Sequence, residues 1–137
     1  MGYNSDVSIA VYGDEAQMLA LIAAQRIKGA KWLEDDGCYA IGKYGSARTV
    51  FGSPMLMIYA SFESVSWTTH YPSVASWVEL LSDAMENFGD NINTEFVRIG
   101  DDIDDMEVEY DGNNVHCYTS VARELTQEFP KFEEEAA

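Results

Sequence analysis

The chain has 137 residues, 47% of them hydrophobic and 12% aromatic, which is sufficient for one hydrophobic core in one compact domain. Its 24 acidic residues against 8 lysines and arginines give a formal net charge of -16, so direct binding to nucleic acid or to an anionic membrane is disfavoured by like-charge repulsion. The charge is uneven, because residues 1–68 contain 7 acidic and 5 basic side chains while residues 69–137 contain 17 and 3. We therefore expect neutral or basic partners, and the anionic character belongs to the second half.

The remaining composition predicts a soluble, cytoplasmic protein. No apolar run approaches the roughly 20 residues that a transmembrane helix needs, and the first residues lack the basic and apolar regions of a secretion signal. Two cysteines do not make a disulfide framework, which fits a reducing compartment. We expect Cys38 and Cys117 to be buried as small apolar side chains.

A strand followed by a helix is predicted at the start of the chain. Alternating apolar side chains indicate a strand over residues 7–12. Asp14 is a suitable N-cap, and apolar residues then recur at helical spacing up to Gly29, which predicts a helix over residues 14–28. After it, the side chain of Trp32 is expected to fold back onto the core.

The segment over residues 37–52 is rich in glycine but lacks the G-x-x-x-x-G-K-[ST] arrangement of a phosphate-binding loop. Its pattern favours a pair of short strands, residues 38–41 and 48–51, turned by glycine. Half of the eight lysines and arginines lie in or shortly before this segment. A pocket formed by them would favour a binding module for a small signalling nucleotide. These residues are Lys28, Lys31, Lys43 and Arg48.

The strongest strand and helix signals follow. Residues 55–67 alternate and carry apolar side chains on both faces at the start, so this strand should be central in a sheet. Pro72 is suited to the first turn of a helix, and apolar residues then recur at spacings of three and four until Gly89. The pattern predicts a helix over residues 72–88.

Three strands are predicted in the second half, over residues 92–99, 107–111 and 115–121. Asp111-Gly-Asn-Asn is typical of a hairpin turn, because these residues tolerate positive φ, so the last two strands should pair with each other. Residues 122–129 either extend the last strand or form a short helix.

The order of these elements predicts a single α+β domain. We expect a mostly antiparallel sheet of five or six strands with two helices packed on one face. The domain should span residues 1–132, and the acidic tail over residues 133–137 should be frayed.

A dense acidic segment over residues 101–111 is the main candidate for function. On a strand, Glu107, Glu109 and Asp111 share one face with a spacing of about 6.6 Å, and the aspartates before them prolong the line. Duplex DNA presents one negative charge per about 1.7 Å of axis, so such an edge can compete for a basic nucleic-acid groove. We hypothesise that the segment binds a basic patch of another protein, as a DNA mimic or as a less literal charged ligand; the alternative is a merely solubilising acidic surface. The seven candidate residues are Asp101, Asp102, Asp104, Asp105, Glu107, Glu109 and Asp111.

No motif in the chain defines a reaction, a metal site or a cofactor. Residues 101–112 lack the glycine at the sixth position and the glutamate at the twelfth of a calcium-binding loop. His116 and Cys117 are neighbours that point to opposite faces of a strand, so they do not form a nucleophile–base pair. Paired carboxylates for general acid–base catalysis are an alternative, since Asp and Glu are abundant. We predict a non-enzymatic protein without cofactor or metal.

Three patches of the chain carry a resemblance to known proteins: Met-Gly-Tyr-Asn-Ser-Asp-Val at the start, Val65-Ser-Trp67 leading to Tyr71-Pro72, and Phe-Val-Arg-Ile-Gly with the acidic residues after it, over residues 96–107. They resemble a family of small, uncharacterised bacteriophage and prophage accessory proteins. The resemblance implies a phage protein that acts in the bacterial host cytoplasm, and it transfers no catalytic residue. Our interpretation is a protein that binds and inhibits or modulates a host nucleic-acid-handling or defence protein. A nucleotide-binding module and a structural, virion-associated protein are the alternatives.

Overall fold

The computed structural model describes residues 4–35, 37–45, 54–88, 91–101, 104–112, 115, 117–121, 125–127, 129–130, 132 and 134–135. The elements are β1 (Asn4–Asp14), α1 (Glu15–Ile27), a 3₁₀ helix (Lys31–Glu34), β2 (Tyr39–Tyr44), β3 (Met55–Ser66), α2 (Pro72–Phe88), β4 (Ile92–Ile99), β5 (Met106–Asp111), β6 (Thr119–Val121), β7 (Leu125–Gln127) and β8 (Glu134–Glu135). The main sheet has the strand order β5-β4-β1-β3-β2-β8, with every pair antiparallel, and β6 pairs with β7 separately. The predicted α+β class is therefore confirmed.

The two predicted helices form as expected and begin and end at recognisable residues. The Asp14 carboxylate accepts a hydrogen bond from the Ala16 N–H at 3.2 Å and caps α1. Gly29, with φ of +68°, follows the C-cap of α1, a conformation that glycine adopts without strain. Among the described residues, no helix is long and apolar enough to cross a membrane.

One face of the sheet packs against both helices. Alternate residues of the central strands β1 and β3 are buried there, together with the inner sides of α1 and α2. Trp32 and Trp77 are fully buried between these layers, with ring centroids 4.9 Å apart. The large apolar area of these two rings makes this face the main core, and Trp32 folds back onto it as predicted.

The opposite face of the sheet is covered by the C-terminal part of the chain. Tyr12 and Tyr44 of this face are buried, and Phe129 stacks on Tyr59 with ring centroids 4.3 Å apart. The buried Tyr12 hydroxyl donates a hydrogen bond to Glu95 Oε2 at 2.5 Å, so the buried carboxylate has a partner. The sheet is therefore packed on both faces.

The predicted hairpin between residues 107–111 and 115–121 is wrong. β5 pairs with β4, and β6 pairs with β7. Gly112 has φ of +119°, and the chain beyond it runs to the second face of the sheet, where the Tyr118 ring lies 5.1 Å from that of Tyr12. Burial of aromatic rings on that face outweighs the local preference for a tight hairpin.

Smaller expectations also differ from the structure. The acidic tail over residues 133–137 was expected to be frayed, whereas β8 within it pairs with β2. Cys38 and Cys117 are free and exposed rather than buried. The predicted strand over residues 48–51 lies outside the described residues.

Candidate functional site

β5 forms one end of the main sheet, with β4 as its neighbour. The register places Glu107 opposite Arg98 and Glu109 opposite Phe96. Because Phe96 belongs to the core beneath the helices, the alternating side chains of Glu107, Glu109 and Asp111 lie on the same side of the sheet as α2. All six residues of β5 are exposed. We call the three carboxylates of β5 the acidic edge, and their shared face is as predicted.

Asp104 and Asp105, just before β5, lie in a turn rather than in a straight continuation of the acidic edge. The Gly100 N–H donates to the Asp105 carbonyl oxygen at 2.6 Å and closes this turn. The Asp105 carboxylate folds back onto Arg98, with 2.6 Å between Asp105 Oδ1 and Arg98 Nη2. Asp101 and Asp104 are exposed, and Asp102 lies outside the described residues. The expected line of carboxylates is therefore wrong at Asp105, which serves an internal contact.

Arg98 is a structural residue of this site that the sequence reasoning did not single out. Its Nε–H donates to Glu107 Oε1 at 2.9 Å, and its Nη1 donates to Ser5 Oγ at 3.0 Å. Hydrogen bonds to Asp105 and Glu107 raise the pKa of Arg98, and the same contact lowers the pKa of Asp105. One cation thus compensates part of the charge of two carboxylates. Within the described residues, Glu109 has no such compensating contact.

A cavity of about 280 Å³ lies between the acidic edge and α2. Leu81 and Phe96 form its floor, since each is only 7% exposed. The half-buried Trp67 forms one wall, with its ring 5.9 Å from that of Phe96. Glu107 and Glu109 line the cavity and are exposed, so they lie at its opening. The cavity therefore combines an apolar floor with an anionic rim.

Helix α2 supplies the other wall of the cavity. Val78, Ser82 and Met85 line it together with Leu81, at helical positions separated by three or four residues. The side chain of Met85 is 37% exposed, although its spacing suggested a place in the core. The sequence signal for this wall is the apolar stripe of α2, which is wider than the surface of the helix that contacts the sheet.

In the described part of the chain, the lysines near the glycine-rich segment form ion pairs with separate carboxylates. Three lysines each pair with carboxylates, at N–O distances between 2.5 and 3.1 Å. The hydrogen bonds that the Lys28 ammonium group donates to Asp83 and Glu79 raise the pKa of Lys28. A phosphate group would have to compete with these carboxylates, and Arg48 lies outside the described residues. The pairs are Lys28 with Glu79 and Asp83, Lys31 with Glu34, and Lys43 with Glu15.

The described residues do not place metal-ligand side chains together. In that part of the chain, no group of three or more His, Cys, Asp or Glu side chains is arranged to hold a metal ion. His70 is exposed on the segment before α2, while His116 lies outside the described residues. The chemistry available at the β5 end of the sheet is therefore that of carboxylates beside an apolar cavity.

No family model, curated protein or solved structure matches this chain. The resemblance to phage accessory proteins, which depends on three short patches, therefore stays a prediction. The functional argument depends on the residues of the acidic edge and the cavity themselves.

Proposed function

We propose that the protein is a non-enzymatic interaction protein that binds a basic surface of another protein through the acidic edge. The observation that carries the proposal is that β5, at the end of the sheet, exposes carboxylates on one face directly beside an apolar cavity. A basic partner that covers this region gains ion pairs with the carboxylates and buries the apolar floor at the same time.

The charge distribution supports association with a basic partner. The acidic edge belongs to the half of the chain that carries 17 acidic and 3 basic residues. Neighbouring carboxylates on β5 are about 6.6 Å apart, which is shorter than the screening length of about 8 Å at physiological salt. Their electric fields therefore add and steer a basic surface toward β5. Higher ionic strength weakens this attraction.

The spacing of the carboxylates in the acidic edge supports a general anionic ligand rather than a close mimic of DNA. One carboxylate per about 6.6 Å of strand compares with one phosphate per about 3.4 Å on each strand of duplex DNA. The acidic edge thus has about half the linear charge density of one DNA strand. Asp101 and Asp104 add exposed negative charge at one end. A basic groove that normally holds nucleic acid suits such a surface.

Together with the resemblance to phage proteins, this chemistry suggests the kind of partner. We infer that the partner is a host protein that handles nucleic acid or acts in defence, and that it is bound in the host cytoplasm. Occupation of its basic surface by the acidic edge would inhibit or modulate it, because nucleic acid and the carboxylates compete for the same cations.

A capture experiment with matched variants tests the proposal. The tagged protein, a Glu109→Gln/Asp111→Asn variant and a Glu34→Gln/Glu63→Gln variant are compared in bacterial host lysate at low and high salt. Both variants remove two exposed carboxylates, but Glu34 lies on the 3₁₀ helix and Glu63 on β3.

We expect a basic protein that is captured by the unmodified protein and the control variant, released by salt, and lost with the acidic-edge variant. The captured protein is then purified, and its affinity for all three proteins is measured by calorimetry at several salt concentrations. Equal affinities with equal salt dependence would refute the proposal.

A further inference from the structure

We propose that the cavity beside the acidic edge accepts the side chain of one arginine from the basic partner. The inference rests on the proposed function and deepens it, because it names the anchoring group that the surface recognises. It follows from the size of the cavity, its lining and the free charge at its rim.

The size of the cavity matches a single long side chain. Its volume of about 280 Å³ lies just below the range of about 300–1,000 Å³ that small-molecule and cofactor sites occupy. Glu107 and Glu109 of the acidic edge line it and are exposed to solvent. A side chain that projects from a protein surface can enter from that side while its backbone stays outside.

The lining of the cavity matches the two parts of an arginine side chain. The buried floor of Leu81 and Phe96 suits the aliphatic stem. The indole of Trp67 lines the cavity, and an aromatic ring is a favourable partner for a guanidinium. The carboxylates of Glu107 and Glu109 at the rim suit the positive head group.

Arginine fits this rim better than lysine for a structural reason. The guanidinium is planar, weakly hydrated and able to bind a carboxylate through two N–H groups. The chain already uses this chemistry, since Arg98 binds Glu107 and Asp105 through different nitrogens. Glu109 has no hydrogen bond or ion pair among the described residues, and none of the residues that line the cavity is a Lys, Arg or His. The rim therefore lacks one cation, and an entering guanidinium supplies it.

Peptide titration with the intact protein tests the inference directly. The probe is acetyl-Gly-Arg-Gly-amide, added to the ¹⁵N-labelled protein and followed by two-dimensional NMR. We expect saturable shifts of the Trp67 indole N–H and of the Ser82 and Thr69 amides, all of which line the cavity. The peptide with neutral citrulline in place of arginine should bind at least about tenfold more weakly, because it keeps the shape and loses the charge.

Two kinds of variant locate the binding. Ser82→Phe fills the cavity from a half-buried position on α2, and Thr69→Trp narrows the cavity from an exposed position. Because Thr69 is exposed, its replacement is expected to leave the fold intact even if Ser82→Phe does not. Both variants should abolish the NMR shifts of the remaining cavity residues. Glu109→Gln should weaken binding of the arginine peptide several-fold, while Glu63→Gln should leave it unchanged. The inference would be overturned if the citrulline peptide, or the same peptide with lysine in place of arginine, bound as tightly as the arginine peptide. It would also be overturned if a variant with a filled cavity bound the arginine peptide normally.

Failure of this inference is distinguishable from failure of the proposed function. If Ser82→Phe and Thr69→Trp capture the partner as well as the unmodified protein does, while Glu109→Gln/Asp111→Asn loses it, the arginine anchor is wrong and the acidic edge still binds. If the acidic-edge variant also captures the partner normally, both proposals are wrong.

Discussion

β4 and β5 are adjacent antiparallel strands that differ strongly in burial. Six of the eight residues of β4 are buried, whereas all six residues of β5 are exposed. Both strands alternate their side chains between the same two faces of the sheet. The difference comes from what lies over them: α2, β6 and β7 contact β4, while β5 ends the sheet.

This difference separates stability from recognition within two neighbouring strands. Apolar residues of β4 contribute buried area, and the carboxylates of β5 contribute exposed charge that adds little to stability. Substitutions in β4 should therefore lower the free energy of unfolding strongly, and substitutions in β5 should change it little and act mainly on binding.

The largest expected effect comes from truncation of an apolar side chain in β4. Phe96 is 7% exposed and packs in the main core, so Phe96→Ala should lower the free energy of unfolding by about 3–5 kcal/mol. Val108 on β5 is 44% exposed, and Val108→Ala should cost less than about 0.5 kcal/mol. Urea unfolding of both variants checks the comparison. Equal losses of stability would mean that β5 is covered by other parts of the protein.

A smaller effect is expected from the polar groups of the two strands. The carboxylate of Glu95 on β4 is fully buried and accepts the hydrogen bond of Tyr12. Tyr12→Phe should lower the free energy of unfolding by about 1–3 kcal/mol, because part of the hydrogen bonding of a buried carboxylate is lost. The side chain of Glu107 is 52% exposed, so Glu107→Gln should lower the free energy of unfolding by less than about 1 kcal/mol. A Tyr12→Phe variant as stable as the unmodified protein would contradict this assignment.

The turn between the two strands should give a smaller, pH-dependent effect. The hydrogen bond from Arg98 holds the pKa of Asp105 below its ordinary value of 3.8. A carboxyl group with a lowered folded-state pKa stabilises the fold above its unfolded pKa, and this contribution is lost as the pH falls through the folded-state value. Asp105→Asn should therefore be less stable than the unmodified protein at neutral pH, and the difference should shrink in acid below pH 3.8.

Urea midpoints measured across this pH range check the prediction, with Asp104→Asn as the control because Asp104 is exposed in the same turn. A difference in stability that is independent of pH, or that grows in acid, would show that Asp105 acts through packing rather than through its charge.

Features with local signals could be predicted from the sequence. The predicted helix over residues 72–88 coincides with α2, because its apolar period and its first proline are signals that lie within the helix itself. The shared face of Glu107, Glu109 and Asp111 also follows from alternation along one strand. These features depend on neighbouring residues alone.

Features that depend on strand pairing could not be predicted in the same way. The turn at Asp111-Gly112 favours a hairpin with the residues after it, but β5 pairs with the strand before it, and the sequence pattern fits both arrangements. The role of Arg98 requires this register, since Glu107 lies opposite it only when β4 and β5 pair. The cavity additionally requires the position of α2 over β4 and beside β5, which no local pattern encodes.

The smallest expected effect on stability is at Glu109, and it gives the sharpest test of the comparison. Glu109→Gln removes an exposed carboxylate that has no ion pair among the described residues, so the free energy of unfolding should change by less than about 0.5 kcal/mol. Its affinity for the captured basic partner should nevertheless fall about tenfold, with a weaker dependence on salt, because a rim charge contributes mainly to attraction and orientation. Glu63→Gln on β3 changes the net charge by the same amount and should bind normally. Because the two variants have equal net charge, a difference between them measures the position of the carboxylate. Equal losses of affinity would instead mean that the partner is attracted by the total charge of -16 and not by the acidic edge.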